Sequence, residues 1–343
     1  MLDKIYTAIG SPNIAFVKYW GTRNEKINLP FNSSLSMTLD KGVISTKTSI
    51  VFSKKFDKDK IIVDGNELNL EEPKNKGRFD IIEEARKKAN IDAKALVVSH
   101  NNFPKGSGLA SSASAGATLA FLLNKALELN MNERELSIMA RKFSGSACRG
   151  IYGGIVLWHR GTSDDGTDSY SEQVLKKEEW SDLIDIIVLI SEQEKKVSSK
   201  EGHVHTATTS ELFRIRPEVA ERHVERALDY LKNKDFHNLA EIIMRDSNSM
   251  HAVMLDSYPP IFYLNETSKE IIYRINQINE ENKENIAAYT FDAGPNANII
   301  TLKKYKDEII EKIRDIQGIK DIIVVEMDQS GPILSNDHLI NDY

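Results

Sequence analysis

Residues 101–121, NNFPKGSGLASSASAGATLAF, hold four serines, three glycines and no acidic residue, and run straight into an apolar helix-like segment. Gly106, Gly108 and Gly116 carry no side chain, so the backbone there can approach a ligand closely. Ser111, Ser112 and Ser114 place hydroxyls where the helix begins, and the free N–H groups of a helix start favour an anion. Lys105 adds a point charge, and Ser107 lies between the first two glycines. Lys105, Gly106, Ser107, Gly108, Ser111 and Ser112 are therefore candidate phosphate contacts. A small-residue helix packed tightly on a sheet, or a plain loop, would produce a similar composition. No Lys-Ser or Lys-Thr follows the glycines, and no third glycine falls at dinucleotide-fold spacing, so neither of those nucleotide motifs applies.

Four further stretches carry reactive residue types. SPNIAFVKYWGTRN, residues 11–24, sets Lys18, Tyr19 and Trp20 at the end of an apolar strand beside Gly21 and Arg23, which suits an anion or a solvated strand end. FSGSACRGIYGG, residues 143–154, groups Ser144, Ser146 and Arg149. Arginine can grip a carboxylate or phosphate with two parallel hydrogen bonds, although a surface arginine at a helix end is the alternative. Cys148 has no evident base beside it and reads as packing. SEQEKKVSSKEGH, residues 191–203, contains Ser199 and Lys200 in a run that a charged linker explains more commonly. In FDAGPNAN, residues 291–298, Asp292 stands where a strand meets Gly-Pro-Asn, a turn that could fix one carboxylate in a cleft or use it as an Asx cap. The eight histidines are scattered without a partnering carboxylate motif, and no side chain is assigned to a metal.

The elements that must position these residues alternate between β-like and helical texture. Residues 43–52 are rich in β-branched types, and 61–63 precede DGNE, a hairpin signal. The periodicity predicts helices at 79–90, from the serine stretch to about 128, and over the segment MNERELSIMARKFSG. Buried strands are expected at 155–159 and 184–190, helices over 206–251 and 266–282, and a strand-turn-strand through AAYTFDAGPNANIITL. A charged helix at 303–316 and a strand at 322–326 follow. This is an α+β pattern, divided into an N-terminal domain 1–190, a C-terminal domain 191–330 and a loose polar tail 331–343.

Apolar residues make up 41% and charged ones 28%, with a net charge of -6, which argues against a broad nucleic-acid footprint. The single cysteine excludes an internal disulfide. The first residues lack an apolar core of signal-peptide length, and no apolar run approaches the roughly 18 residues of a membrane span. The expectation is a reduced, cytoplasmic protein with neither nucleic-acid nor membrane partner.

NIAFVKYWG, LPFNSSLSMTLD, NNFPKGSGLASSAS, SGSACRGIYGG, VSSKEG, MRDSNSMHAVMLDSYPPIFYLN and DAGPNA occur in the order found in diphosphomevalonate decarboxylases, which the chain resembles from about residue 10 to 300. The family belongs to the superfamily of galactokinase, homoserine kinase, mevalonate kinase and phosphomevalonate kinase. The resemblance implies a two-domain small-molecule-kinase superfamily fold with the active site in the inter-domain cleft. It implies decarboxylation of a phosphorylated mevalonate to isopentenyl (di)phosphate, with loss of the 3-O-phosphate and carbon dioxide, and a homodimer. Asp292, Lys18 and Arg149 would be catalytic, with Tyr19, Ser144, Ser146, Ser199 and Lys200 on the substrate. The loop from Lys105 to Ser112 would hold the nucleotide phosphates.

The sequence departs from the family at Thr22, where a lysine is usual, and at Lys200 and His203, where arginine and methionine often stand. Those positions lie toward the distal phosphate in the family. The ATP- and Mg2+-dependent diphosphate form leads. A 5-monophosphate form, a 3,5-bisphosphate form using no ATP, and a kinase without decarboxylation are the alternatives.

Overall fold

The computed structural model describes residues 2–72, 75–103, 111–190 and 197–341. Three larger sheets organise these residues, and nearly all pairings are antiparallel. The first sheet has six strands, ordered Ile333–Ser335, Tyr6–Gly10, Thr46–Ser53, Lys94–Asn101, Lys60–Val63 and Asn66–Glu67. Its edge hairpin turns through Asp64 and Gly65, both at positive φ, as the DGNE signal predicts. Helices Lys76–Ala89, Ser111–Ala126 and Glu133–Phe143 pack on this sheet around Ile50, Phe52, Ile82, Leu119 and Leu123. Asn132 and Glu135 close the start of the third of these helices as a capping box.

The second sheet runs Ser171–Leu175, Ile155–Trp158, Ser34–Thr38 and Asn13–Val17. The third runs Ala287–Phe291, Ala297–Leu302, Leu183–Leu189 and Asp321–Glu326. Every residue of Leu183–Leu189 is buried because the strand is covered on both faces. Ile184, Ile186 and Val188 meet helices Glu266–Asn282 and Lys306–Ile313, while Leu183, Ile187 and Leu189 join a core shared with the second sheet. Helices Arg216–Asn233 and Phe236–Leu255 belong to that shared core through Val224, Leu231, Leu239 and Ile243. Fully burying one such aliphatic side chain contributes about 1.5–3 kcal/mol, so this continuous core binds the two halves firmly.

Two expectations need correction. Strand Leu183–Leu189 sits in the third sheet, so the change of layer falls before residue 183 and not at 190. The segment read as a loose tail instead adds strand Ile333–Ser335 beside Tyr6–Gly10, where Leu339 N–H donates to Ser49 Oγ at 2.8 Å and Ile340 is buried. The helical span expected over 206–251 is found, as the end of helix Ser199–Thr209 followed by helices Arg216–Asn233 and Phe236–Leu255. Pro217 opens the second, and Lys234 in the left-handed region with Asp235 as N-cap separates the second from the third.

Candidate active site

Lys18 leaves the end of strand Asn13–Val17, and its ammonium Nζ meets Asp292 Oδ1 at 2.6 Å. The Lys18 side chain is only 2% exposed against 28% for Asp292, so the pair is open on the carboxylate side. A buried ammonium is tolerated only with such a partner. Asp292 is thus the ion-pair partner of a buried lysine. Asp292 directly follows strand Ala287–Phe291 and lies 274 residues away in sequence from Lys18.

The backbone at Lys18 is held as firmly as its side chain. Its N–H donates to Asp246 Oδ1 at 2.7 Å, and its carbonyl accepts from Asn32 Nδ2 at 3.0 Å and Arg216 Nη2 at 3.4 Å. Asp246 also accepts from Arg216 Nη2 and His223 Nδ1, each at 2.8 Å. Burial pushes this carboxyl up, but the Arg216 charge and the bonds from His223 and Lys18 outweigh it and hold the group below its ordinary range.

Arg149 lies in the 3-10 segment Gly145–Ile151 and is buried. Its Nη1 donates to Ser34 Oγ at 2.8 Å, and Nε and Nη2 both reach Asn13 Oδ1, at 3.3 and 3.2 Å. It is no surface arginine. Ser34 in turn donates to Val17 O at 2.6 Å, which ties Arg149 to the chain entering Lys18. Arg149 and Asp292 are close enough to feel each other's charge. Beside them, Ser144 Oγ stands 3.5 Å from Ser146 Oγ and 3.3 Å from Ser112 Oγ.

Ser112 belongs to the first turn of helix Ser111–Ala126, which holds no acidic residue. The helix start therefore opens beside Ser144 with hydroxyls and backbone donors, a donor set that fits nucleotide phosphates. Lys105, Gly106, Ser107 and Gly108 lie outside the described residues, and of Ser111 only its place at the helix start is described.

Tyr19 packs between this cluster and His203. A Cβ on Gly145 would come 2.6 Å from the Tyr19 ring, so the close approach requires glycine there. The Tyr19 hydroxyl sits 2.6 Å from Thr22 Oγ1, and burial pushes its pKa up to about 12. Arg23 turns away, donating to Pro30, Gly161 and Ser163 carbonyls, and so does not replace a phosphate-directed lysine. Cys148 is buried, and that burial lifts its thiol to about 11, consistent with packing.

His203 stacks on Tyr19 and tilts against Trp20, with both ring separations at 4.3 Å. Its Nδ1 accepts from Gly21 N–H at 2.8 Å, which places the neutral ring's proton on Nε2. Burial lowers its pKa to about 3. Ser199 stands four residues earlier on the same helix and shares its face, whereas Lys200 is exposed. Sequence reading missed this helix start. The signal was SSKE, in which Ser198 and Glu201 form a capping box, so 197–203 is not linker.

Unfolding would return His203 to an ordinary pKa of about 6.5, so the folded state binds fewer protons below that pH. Its contribution is full above about pH 6.5 and is lost as pH falls toward 3. Replacing His203 by Met should remove about 1.4 kcal/mol per pH unit from the acid-side slope of stability between pH 6 and 4. Urea midpoints measured across that range for both proteins check this. Parallel slopes would show that His203 is protonated when folded.

Among the described residues no group of side chains could hold a metal ion by itself, and no helix is long and apolar enough to cross a membrane. Comparison with known proteins matches residues 10–171 to the diphosphomevalonate decarboxylase-like N-terminal domain and 185–335 to the mevalonate 5-diphosphate decarboxylase C-terminal domain. The diphosphomevalonate decarboxylase of Candida albicans is 43% identical, over 87% of this chain and 84% of that one. A solved mevalonate diphosphate decarboxylase from Staphylococcus aureus superposes with TM-score 0.87 at 33% identity, covering 97% and 98% of the two chains. The solved complex of MDDEF with MVAPP, AMPPCP and magnesium gives TM-score 0.87 and 33% identity, covering 96% and 98%.

Proposed function

The chain belongs to the diphosphomevalonate decarboxylase family, and from that premise we propose how its residues divide the reaction between them. The protein is a carboxy-lyase of the mevalonate pathway that uses ATP and Mg2+. It converts mevalonate 5-diphosphate to isopentenyl diphosphate, with loss of the 3-O-phosphate and carbon dioxide. Relatives named for the diphosphate substrate, and a complex holding MVAPP with AMPPCP, favour this form over the 5-monophosphate and ATP-independent ones.

Hydroxide is a poor leaving group, so the 3-hydroxyl of the substrate must first be phosphorylated. ATP with Mg2+ supplies that phosphoryl group. Asp292 accepts or orients the hydroxyl proton, since its carboxylate is the open member of the pair. Lys18 places a desolvated positive charge where the phosphate arrives and departs. Arg149 holds the C1 carboxylate anti to the leaving phosphate, so carbon dioxide departs as the alkene forms. Ser144, Ser146, Tyr19, Ser199 and Lys200 take the 5-phosphate end. Ser112, and the residues from Lys105 to Ser111, take the nucleotide phosphates. The observation that carries this reading is the 2.6 Å contact between a buried lysine and a half-open carboxylate, with Arg149 beside it.

The direct test measures alkene and carbon dioxide from mevalonate 5-diphosphate, mevalonate 5-phosphate and mevalonate 3,5-bisphosphate, each with and without Mg-ATP. Product from the diphosphate only with Mg-ATP is expected. Product from the bisphosphate without ATP, and from neither of the others, would overturn the reading. A cytoplasmic homodimer is part of the same proposal, resting on the family resemblance, the net charge of -6 and the single buried thiol. A monomer mass in solution scattering would refute the dimer, and fractionation with membranes would refute the location.

A further inference from the structure

Asp185 interrupts the apolar strand Leu183–Leu189 and is fully buried. It points to the same side as Leu183 and Ile187, into the core between the second and third sheets. Its cross-strand neighbours on that face are Ile300 and Val325, which offer no side-chain donor. Among the described residues neither carboxylate oxygen makes a well-formed hydrogen bond, and the only donor near enough to favour its charge is the Ile299 backbone.

The surroundings are polar all the same. On this face of the third sheet Thr290 lies directly opposite Asn298, which lies opposite Ile187, two residues along from Asp185. Thr290 Oγ1 and Asn298 Oδ1 are also buried without partners, as is His251 Nε2 on helix Phe236–Leu255. The charged groups in reach of Asp185 are Lys18, at the end of strand Asn13–Val17, and Asp292, after strand Ala287–Phe291. His251 feels the same two charges, and burial lowers it to about 4, so it is neutral at physiological pH. On the same helix Asp246 is already neutralised by Arg216 and His223.

The position of Asp185 decides its charge. An ionised carboxylate without a well-formed hydrogen bond in such a place carries a heavy desolvation cost. A second negative charge near Asp292 would add repulsion, and one ammonium cannot neutralise two carboxylates. Burial and the Asp292 charge therefore push the Asp185 carboxyl well above its ordinary range, only partly offset by Lys18 and the backbone at Ile299.

We propose that Asp185 is a positioning residue for the reaction, a carboxylic acid kept uncharged behind Lys18 so that the ammonium serves Asp292 and the substrate phosphate undivided. As a neutral acid its O–H can donate within the polar row that Asn298 and Thr290 form. Once ionised it competes with Asp292 for Lys18 and subtracts from the positive charge that meets the phosphate. Ionisation of Asp185 then sets an alkaline limit on turnover.

The inference rests on the decarboxylase assignment for its kinetic arm alone. Asp185→Asn, nearly isosteric and permanently uncharged, should keep near-normal kcat at neutral pH. Its alkaline limb in the profile of kcat against pH should move up by about one pH unit or more, about tenfold in rate beyond the wild-type limb. A second arm needs no turnover. The infrared band of a protonated carboxyl, present in the wild-type protein at pH 7, should be lost in Asp185→Asn. Both results are required. Coincident alkaline limbs, or a band unchanged by the substitution, would overturn the proposal. Asp185→Val serves if the Asn variant fails to fold, because an apolar residue of similar volume often replaces a buried charge without loss of stability. Failure of the kinetic arm through absence of any decarboxylation would instead count against the assigned reaction, and the infrared arm would still decide the state of Asp185.

Discussion

Replacing Asp292 by Asn is expected to lower kcat by about 10³-fold while substrate still binds with a dissociation constant within a few-fold of normal. An amide cannot take the hydroxyl proton, and it offers Lys18 no counter-charge. The Lys18 side chain, 2% exposed and paired at 2.6 Å, is then left as an uncompensated buried ammonium. The backbone cage formed by Asp246, Asn32 and Arg216 keeps Lys18 in place, and for that reason the loss should appear in the chemical step and spare binding. Single-turnover measurement of the alkene, with calorimetric titration of the substrate, separates the two. Near-normal turnover would remove Asp292 from the mechanism.

The largest loss of stability is expected from Asp246→Ala. Arg216 and Asp246 both have side chains with no solvent exposure and lie 2.8 Å apart. Arg216 Nε and Nη1 already lack partners, so the carboxylate is the main compensation for the guanidinium charge. Breaking a buried pair from one side typically costs about 3–5 kcal/mol. The same change frees the Lys18 N–H, so activity per folded molecule should fall as well. Urea unfolding monitored by circular dichroism tests the first effect, and a loss under about 1 kcal/mol would show that Arg216 finds other partners. His223→Gln, which removes only one of the three donors to Asp246, should cost much less.

Local pattern carried much of the architecture. The hairpin at Asp64-Gly65, the strand-turn-strand around Asp292 and the capped helix at Asn132 all announce themselves within a few residues. Boundaries that depend on tertiary neighbours did not. Leu183–Leu189 looks like any buried strand, and only its partners Ala297–Leu302 and Asp321–Glu326 decide which half it joins. The site was legible as separate fragments. Nothing local to Lys18 says that Asp292 will reach it from 274 residues away, and motif resemblance supplied that link. Asp185 and Asp246 escaped notice because a lone aspartate in an apolar strand, or inside MRDSNSMH, looks polar and solvated until its burial is known.

Strand Ile333–Ser335, which closes one edge of the first sheet, is synthesised only after the whole of the second half. While the chain is growing, strand Tyr6–Gly10 therefore stands as an open edge, a template for mispairing with other nascent chains. The N-terminal half can collapse early around its helices, but its sheet is sealed last. The first sheet therefore closes only after every strand of the third has been made, and Tyr6–Gly10 keeps an open edge through that interval.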